Sequence, residues 1–267
     1  MTLSELSYST DSEQLPISKV SKSIENYGIA VLPGYLKNLE QVKEEHRTLF
    51  EKKNNFNEIN YSPGRAFYIE KKELGNPQLK NINATFSKNS MRKIATNYLG
   101  QKIQFNSVVV ASHDYTPAKI IFNHYDLQYT FKFFLYLTDT DTSNGAFRFL
   151  PCSHIENRRK ILDNLKNGTG IHHQNNRIED SGDWLDICGP AGSLIIFDSA
   201  GYHSGGVIEK GKERKVLRSE TFSLPRPQYE PKPKTYQWWL ENRPDAKMSK
   251  RAYKSFEKSL LNPVSKL

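Results

Sequence analysis

Apolar residues recur at helical spacing in the first hundred positions and at strand spacing beyond them. Leu39, Val42, Leu49 and Phe50 fall on one helical face, and Asn38 followed by Gln41 resembles a capping box at its start. Met91, Ile94, Ala95, Tyr98 and Leu99 make a second apolar stripe, which Gly100 closes as a C-terminal stop. Between them, Asn54–Gly75 is rich in Asn, Gly, Pro and aromatics without a clear period. Such a segment reads either as a lid or binding loop or as a solvated connector. From Gln104 the pattern changes. Phe105–Ala111, Ile120–Asp126, Phe131–Leu137, Ala146–Leu150, Ser193–Phe197 and Val216–Leu224 are all rich in strand formers, and Ser143-Asn144-Gly145 is a tight-turn signal. Short strands at this spacing predict a sandwich or barrel, and a jelly roll with a ligand-sized mouth satisfies them.

After Leu224 the composition shifts. Pro225, Pro227, Pro231 and Pro233 rule out a central strand or helix. Tyr236, Trp238, Trp239 and Leu240 form an aromatic patch, and Tyr253, Phe256 and Leu260 return to helical spacing. The chain therefore divides into residues 1–224 and a proline-rich arm with a helical extension over 225–267. The extension reads as helices docked on the core, or more sharply as a partner-binding or dimerising tail.

Composition narrows the class. With 267 residues, 37% hydrophobic and 12% aromatic, the chain can bury a real core. No apolar run approaches the length of a membrane span, and Met1–Lys22 lacks the apolar stretch of a signal peptide, so the expected compartment is the cytoplasm. The two cysteines, Cys152 and Cys188, make no disulfide framework, and Cys188 beside Gly189-Pro190 reads as a small buried hydrophobe. A formal charge of +9 invites a nucleic-acid reading. The lysines are dispersed, however, so nucleic acid is not the expected partner, and attraction for an anionic small molecule is the better use of the charge.

The chemistry concentrates at His124-Tyr125-Asp126, His203 and Arg214. Residues i and i+2 of a strand share a face, so this H-x-D places two ligands together. A distant His completes a two-His, one-carboxylate set, which holds one face of Fe(II) and leaves the opposite positions open. An Arg beyond it can grip a keto acid's remote carboxylate with two parallel donors.

The run His124–His154, HYDLQYTFKFFLYLTDTDTSNGAFRFLPCSH, resembles the phytanoyl-CoA dioxygenase family of Fe(II)/2-oxoglutarate oxygenases. There H-x-D is followed by a strand, an acidic turn ending in N-G, another strand and P-G-S-H. The block Gly192–Phe222, GSLIIFDSAGYHSGGVIEKGKERKVLRSETF, is similar to that family's distal half. These motifs cover roughly residues 105–224, and GIAVLPGYL (Gly28–Leu36) resembles the family's entry strand. Cys152 stands where the family usually has Gly, and Asn123 where an aromatic often precedes the first ligand.

The resemblance implies a mainly β fold with flanking helices, built on a double-stranded β-helix (jelly-roll, cupin-like) core. It implies that His124, Asp126 and His203 hold Fe(II), that 2-oxoglutarate and O₂ are cosubstrates, and that succinate and CO₂ are released as a small molecule is hydroxylated. No catalytic residue beyond the ligands is expected. Related halogenases replace the Asp with chloride; Asp126 is present, which favours hydroxylation. Desaturation, cyclisation and epimerisation remain open, as does a non-catalytic jelly roll that binds metal or ligand without turnover.

Family spacing assigns Arg214 to the distal carboxylate of 2-oxoglutarate. Arg218 shares its strand parity and is the competitor, and either reads otherwise as a surface arginine. Lys132 and Tyr136 are pocket-lining candidates with Phe134 between them, and Arg148 is similar. His154 reads as structural. His172 and His173 are adjacent, so on an extended chain they point apart and rarely share a metal. His46 and His113 have no partner legible in the sequence.

Overall fold

The computed structural model describes residues 2–9, 15–51, 56–61, 63–99, 103–126, 131–167, 177–180 and 182–223. In chain order the elements are α1 (Ile17–Tyr27), β1 (Ile29–Leu32), α2 (Leu39–Glu51), β2 (Asn57–Tyr61), β3 (Gly64–Glu70), α3 (Lys80–Phe86) and α4 (Asn89–Leu99). Then follow β4 (Ile103–Asp114), β5 (Ala118–His124), β6 (Phe131–Tyr136), β7 (Phe147–Phe149), α5 (Ser153–Asn167), β8 (Leu185–Ile187), β9 (Leu194–Asp198), β10 (His203–Ile208) and β11 (Arg214–Ser223). Among the described residues the strands form a major sheet, ordered β1-β9-β6-β11-β4-β3-β2, and a minor sheet, ordered β5-β10-β7-β8. The paired strands are antiparallel, and the two sheets make the expected jelly roll.

Strand alternation sorts the core into two layers. Ile29, Val31, Phe134, Tyr136, Phe147, Phe149, Ile195, Phe197 and Val216 pack between the sheets. The opposite parity, with Phe131, Phe133, Leu135, Leu194, Ile196 and Leu217, packs with apolar residues of α1, α2, α3 and α4. Both helical stripes land there: Val42 and Leu49 of α2, and Met91, Ile94, Ala95 and Tyr98 of α4. His46, on the same face of α2, is also buried, with its Nε2 3.1 Å from the Ser112 carbonyl and its ring stacked on Phe50.

Several expectations need correction. The described part of Asn54–Gly75 includes the β2–β3 hairpin at the edge of the major sheet. Its alternation was masked because Ala66 and Tyr68 face one side while Phe67 and Ile69 face the other, with Gly and Arg interspersed. Cys188 is only half-buried. Helix α5, with its marked polarity, was not foreseen at all. Gly100, His172, His173 and the whole 225–267 extension lie outside the described residues.

Two positions show why certain residues are needed. Gly28 ends α1 at φ +84°, and a Cβ there would meet His154 Nδ1 at 2.7 Å. Cys152 takes φ +68°, a left-handed conformation that favours glycine, at the position where the resembling family has Gly. Among the described residues no helix is long and apolar enough to cross a membrane.

Candidate metal centre

His124 ends β5, His203 opens β10, and the two pair directly across the minor sheet with ring centroids 4.4 Å apart. Each ring is oriented by a backbone carbonyl two residues before it. His124 Nδ1 lies 2.8 Å from the Phe122 carbonyl, and His203 Nδ1 lies 2.8 Å from the Gly201 carbonyl. A carbonyl only accepts, so each Nδ1 carries the hydrogen and each Nε2 keeps its lone pair. Burial, and then the neighbouring His124, lower the His203 pKa to about 3, so it is neutral at ordinary pH.

Asp126 does not share a strand face with His124, contrary to the simple i, i+2 reading. It lies beyond the end of β5, where its N–H donates to the Ser199 carbonyl at 2.8 Å. The convergence survives by this other route. Asp126 Oδ1 stands 3.6 Å from His124 Nε2 and 3.8 Å from His203 Nε2. One ligand atom from each of the three residues falls within 4.8 Å of the others. Donors bound about 2 Å from one ion lie roughly 3–4 Å apart, so the spacing fits a single metal. The other carboxylate oxygen, Oδ2, is 2.5 Å from Lys132 Nζ. Burial pushes the Asp126 carboxyl pKa up, but the Lys132 ammonium outweighs it and holds the group ionised. Two imidazole nitrogens and a carboxylate oxygen are a donor set that suits Fe(II).

The loop 198–203 joins these parts, and nothing in the sequence marked it. Ser199 holds Asp126 and Gly201 orients His203. The loop is itself pinned by Asp198, whose Oδ1 accepts the Ala200 N–H at 2.8 Å. Asp198 Oδ2 accepts the Tyr98 hydroxyl at 2.8 Å and pairs with Arg158 of α5. Asn157 donates to the Ala200 carbonyl at 2.9 Å. Arg158 and Asp198 are 1% and 0% exposed, so this is an ion pair wholly inside the protein.

Arg214 points between the sheets, as its parity requires, and is buried. Its Nε and Nη2 both donate to Asp114 Oδ2, at 3.1 and 2.9 Å, and Nη1 donates to the Gly145 carbonyl at 2.7 Å. Asp114 also accepts the Tyr61 hydroxyl at 2.5 Å. Guanidinium has five N–H groups, so two are left, one on each terminal nitrogen. Neither Asp114 nor Tyr61 was legible as a partner, because strand register cannot be read from one sequence.

The remaining candidates separate clearly. Lys132 reaches the centre through Asp126. Tyr136 does not offer its hydroxyl to a ligand, since the group donates to the Ile187 carbonyl and accepts the Phe147 N–H, tying the sheets together. Arg148 has the parity opposite to Phe147 and Phe149, and it pairs with Asp180 and Asp186 on the outer side. Arg218 faces inward beside Phe134 and Val110. His154 is buried near Glu25 and Gly28, with burial lowering its pKa to about 4, and is structural as expected. His113 pairs with Glu213 at 2.7 Å on the rim.

The sequence model of the family described as phytanoyl-CoA dioxygenase (PhyH) matches residues 78–216. Comparison with curated protein sequences gives no match. Among solved structures, the chain is similar to the non-heme α-ketoglutarate-dependent epimerase SnoN from nogalamycin biosynthesis. That match has 13% identity, a TM-score of 0.55, and coverage of 78% of this chain and 82% of that one. HygX from Streptomyces hygroscopicus, with nickel and 2-oxoglutarate bound, matches at 12% identity and TM-score 0.57, covering 79% and 89%. The carbocyclase SnoK from nogalamycin biosynthesis matches at 13% identity and TM-score 0.55, covering 81% and 87%. At these identities the structural likeness carries the fold alone.

Proposed function

The chain belongs to the phytanoyl-CoA dioxygenase family of Fe(II)/2-oxoglutarate enzymes, and from that premise we propose that it hydroxylates a small molecule at the His124–Asp126–His203 centre. The observation that carries this reading is the convergence of two Nε2 lone pairs and one carboxylate oxygen on a common point. His124 and His203 would hold iron through Nε2, and Asp126 through Oδ1. When bound, iron with 2-oxoglutarate and O₂ supplies the oxidising power for C–H hydroxylation and releases succinate and CO₂.

The chain's own residues orient and isolate that chemistry. The Phe122 and Gly201 carbonyls fix the imidazole tautomers, a device that also raises ligand basicity. Lys132 engages Asp126 Oδ2 and leaves Oδ1 toward the histidines. Phe147 and Phe197, with ring centroids 5.8 and 5.2 Å from His203, wall the site against water. Arg214 would take the distal carboxylate of 2-oxoglutarate with its two remaining N–H groups, while Asp114 and the Gly145 carbonyl keep the guanidinium from swinging away.

A second reading, epimerisation or ring closure with the same cofactors, is favoured by the reactions of SnoN and SnoK. Anaerobic Fe(II) titration followed by 2-oxoglutarate, ascorbate and air tests the shared core. Iron-dependent succinate release is expected, and His124→Ala should abolish it without loss of the folded signal in circular dichroism. Succinate release unchanged in His124→Ala would refute the assignment, and no release from the unaltered protein would favour a non-catalytic jelly roll. An oxygen-18 label in the product separates hydroxylation from epimerisation or cyclisation.

A further inference from the structure

Three cations line the inner face of the major sheet, and they are not equivalent. Lys132 engages Asp126, and Arg214 engages Asp114. Arg218 has no hydrogen bond or ion pair among the described residues, and its Nε is buried with its N–H unmet. Buried N–H groups are nearly always paired in folded proteins, with protein, ligand or ordered water, so this one is open to a bound partner.

Its surroundings say what kind. In the sheet register Arg218 lies between Val110 of β4 and Phe134 of β6, and Tyr68 of β3 follows Val110 in the same row. The row is apolar and aromatic around one guanidinium. Beyond it the inner face opens toward β2, where Ile59 is 41% exposed. In the other direction, Lys132 stands one inner-face step along the sheet, a separation of about 7 Å for two strand residues. A small molecule held by Arg218 therefore lies within its own length of the metal centre, on the side open to solvent.

We propose that Arg218 anchors the primary substrate, and that this substrate is a small organic oxyanion carrying an apolar or aromatic body. The proposal rests on the reading of the centre given above and assigns a separate task to each arginine. Arg214, already half-neutralised by Asp114, takes the cosubstrate. Arg218, with no carboxylate partner among the described residues, meets the substrate through the side-on pair of Nε and one terminal nitrogen.

The test loads the full chain with Zn(II), which holds the site without turnover, and with 2-oxoglutarate. Benzoate, phenyl phosphate and the neutral isostere benzamide are then titrated by saturation-transfer NMR. At least one anion should bind while benzamide does not, and the better anion tells carboxylate from phosphate. Arg218→Gln should weaken that anion by at least about ten-fold while changing 2-oxoglutarate affinity less than about two-fold; Arg218→Lys, which keeps charge but not the fork, should fall between. Thermal melts check that both variants fold. Three results would overturn the proposal: anions no better than benzamide, anion binding unchanged in Arg218→Gln, or lost 2-oxoglutarate affinity in Arg218→Gln, which would make Arg218 the cosubstrate clamp. If the unaltered protein fails to bind 2-oxoglutarate, the functional reading fails. The anion titration on the zinc-only protein still decides Arg218.

Discussion

The two faces of the major sheet bury the same chemistry to opposite ends. The outer face, under the helices, holds the Arg158–Asp198 pair and His46; the inner face, between the sheets, holds the Arg214–Asp114 pair and His203. Both arginines sit against an aspartate that is 0% exposed. Burial lowers both histidines to a pKa of about 3. Neither burial nor a shifted pKa therefore distinguishes the ligand side from the scaffold. Convergence of open ligand atoms on one point does. Asp198 is engaged by Arg158, Tyr98 and Ala200, and His46 spends Nε2 on the Ser112 carbonyl. On the inner face Arg214 keeps two N–H groups and His203 keeps its Nε2 lone pair.

The largest effect should come from the outer pair. Removing one member of a buried ion pair leaves an uncompensated charge and costs about 3–5 kcal/mol. Arg158→Met and Asp198→Leu should each lower unfolding stability by that order in urea titrations. The double variant, with both charges gone, should recover most of the loss. Its Fe(II) affinity should stay reduced, because the loop that holds Asp126 and orients His203 has lost its pin. Full recovery of metal affinity in the double variant would make the pair simple packing and break the contrast between positioning and filling.

The inner pair should answer to ligand rather than to denaturant. Arg214→Ala should weaken 2-oxoglutarate by roughly 30-fold or more, from a loss on the order of 2–5 kcal/mol, while Fe(II) affinity changes little. Arg214→Lys should fall between, since a point charge cannot reproduce the fork. The visible charge-transfer band of the iron–cosubstrate complex reads both constants in one titration. Equal losses of Fe(II) and 2-oxoglutarate affinity would show that Arg214, like Arg158, only supports the frame.

What the sequence disclosed follows the same division. His124, Asp126 and His203 were legible because a metal donor set restricts residue types, and the jelly roll was legible because strand-forming residues cluster in short runs separated by turn signals, as in β4, β6, β9 and β11. Partners were not. Arg214 could be singled out, but Asp114 lies 100 positions away and reaches it only through the β4–β11 register. Arg158 sits on α5, whose polar surface hid one buried turn, so the pin on the metal loop gave no signal. Asp126 reached its place from beyond the strand, by a backbone bond to Ser199 that no i, i+2 rule describes.

The smallest expected effect bears on the histidines. His46 has a pKa lowered from 6.5 to about 3, chiefly by burial, so the folded protein holds it neutral while the unfolded chain binds a proton below 6.5. Its contribution to stability is whole above that pH and is lost progressively as pH falls toward 3. Between pH 6.5 and 5.5 the loss from one such group is roughly 1 kcal/mol. His46→Gln keeps a donor for the Ser112 carbonyl but does not titrate, so it should flatten the acid slope by that amount. His46 touches no ligand, so the same flattening should appear in metal-free and Zn(II)-loaded protein. His203 shares the direction of shift, yet any ion at its Nε2 competes with the proton, so its part of the slope should depend on metal. Unfolding midpoints at several pH values, with and without Zn(II), separate the two. If the change caused by His46→Gln itself depended on Zn(II), the outer histidine would be coupled to the centre, and the two faces would not be independent.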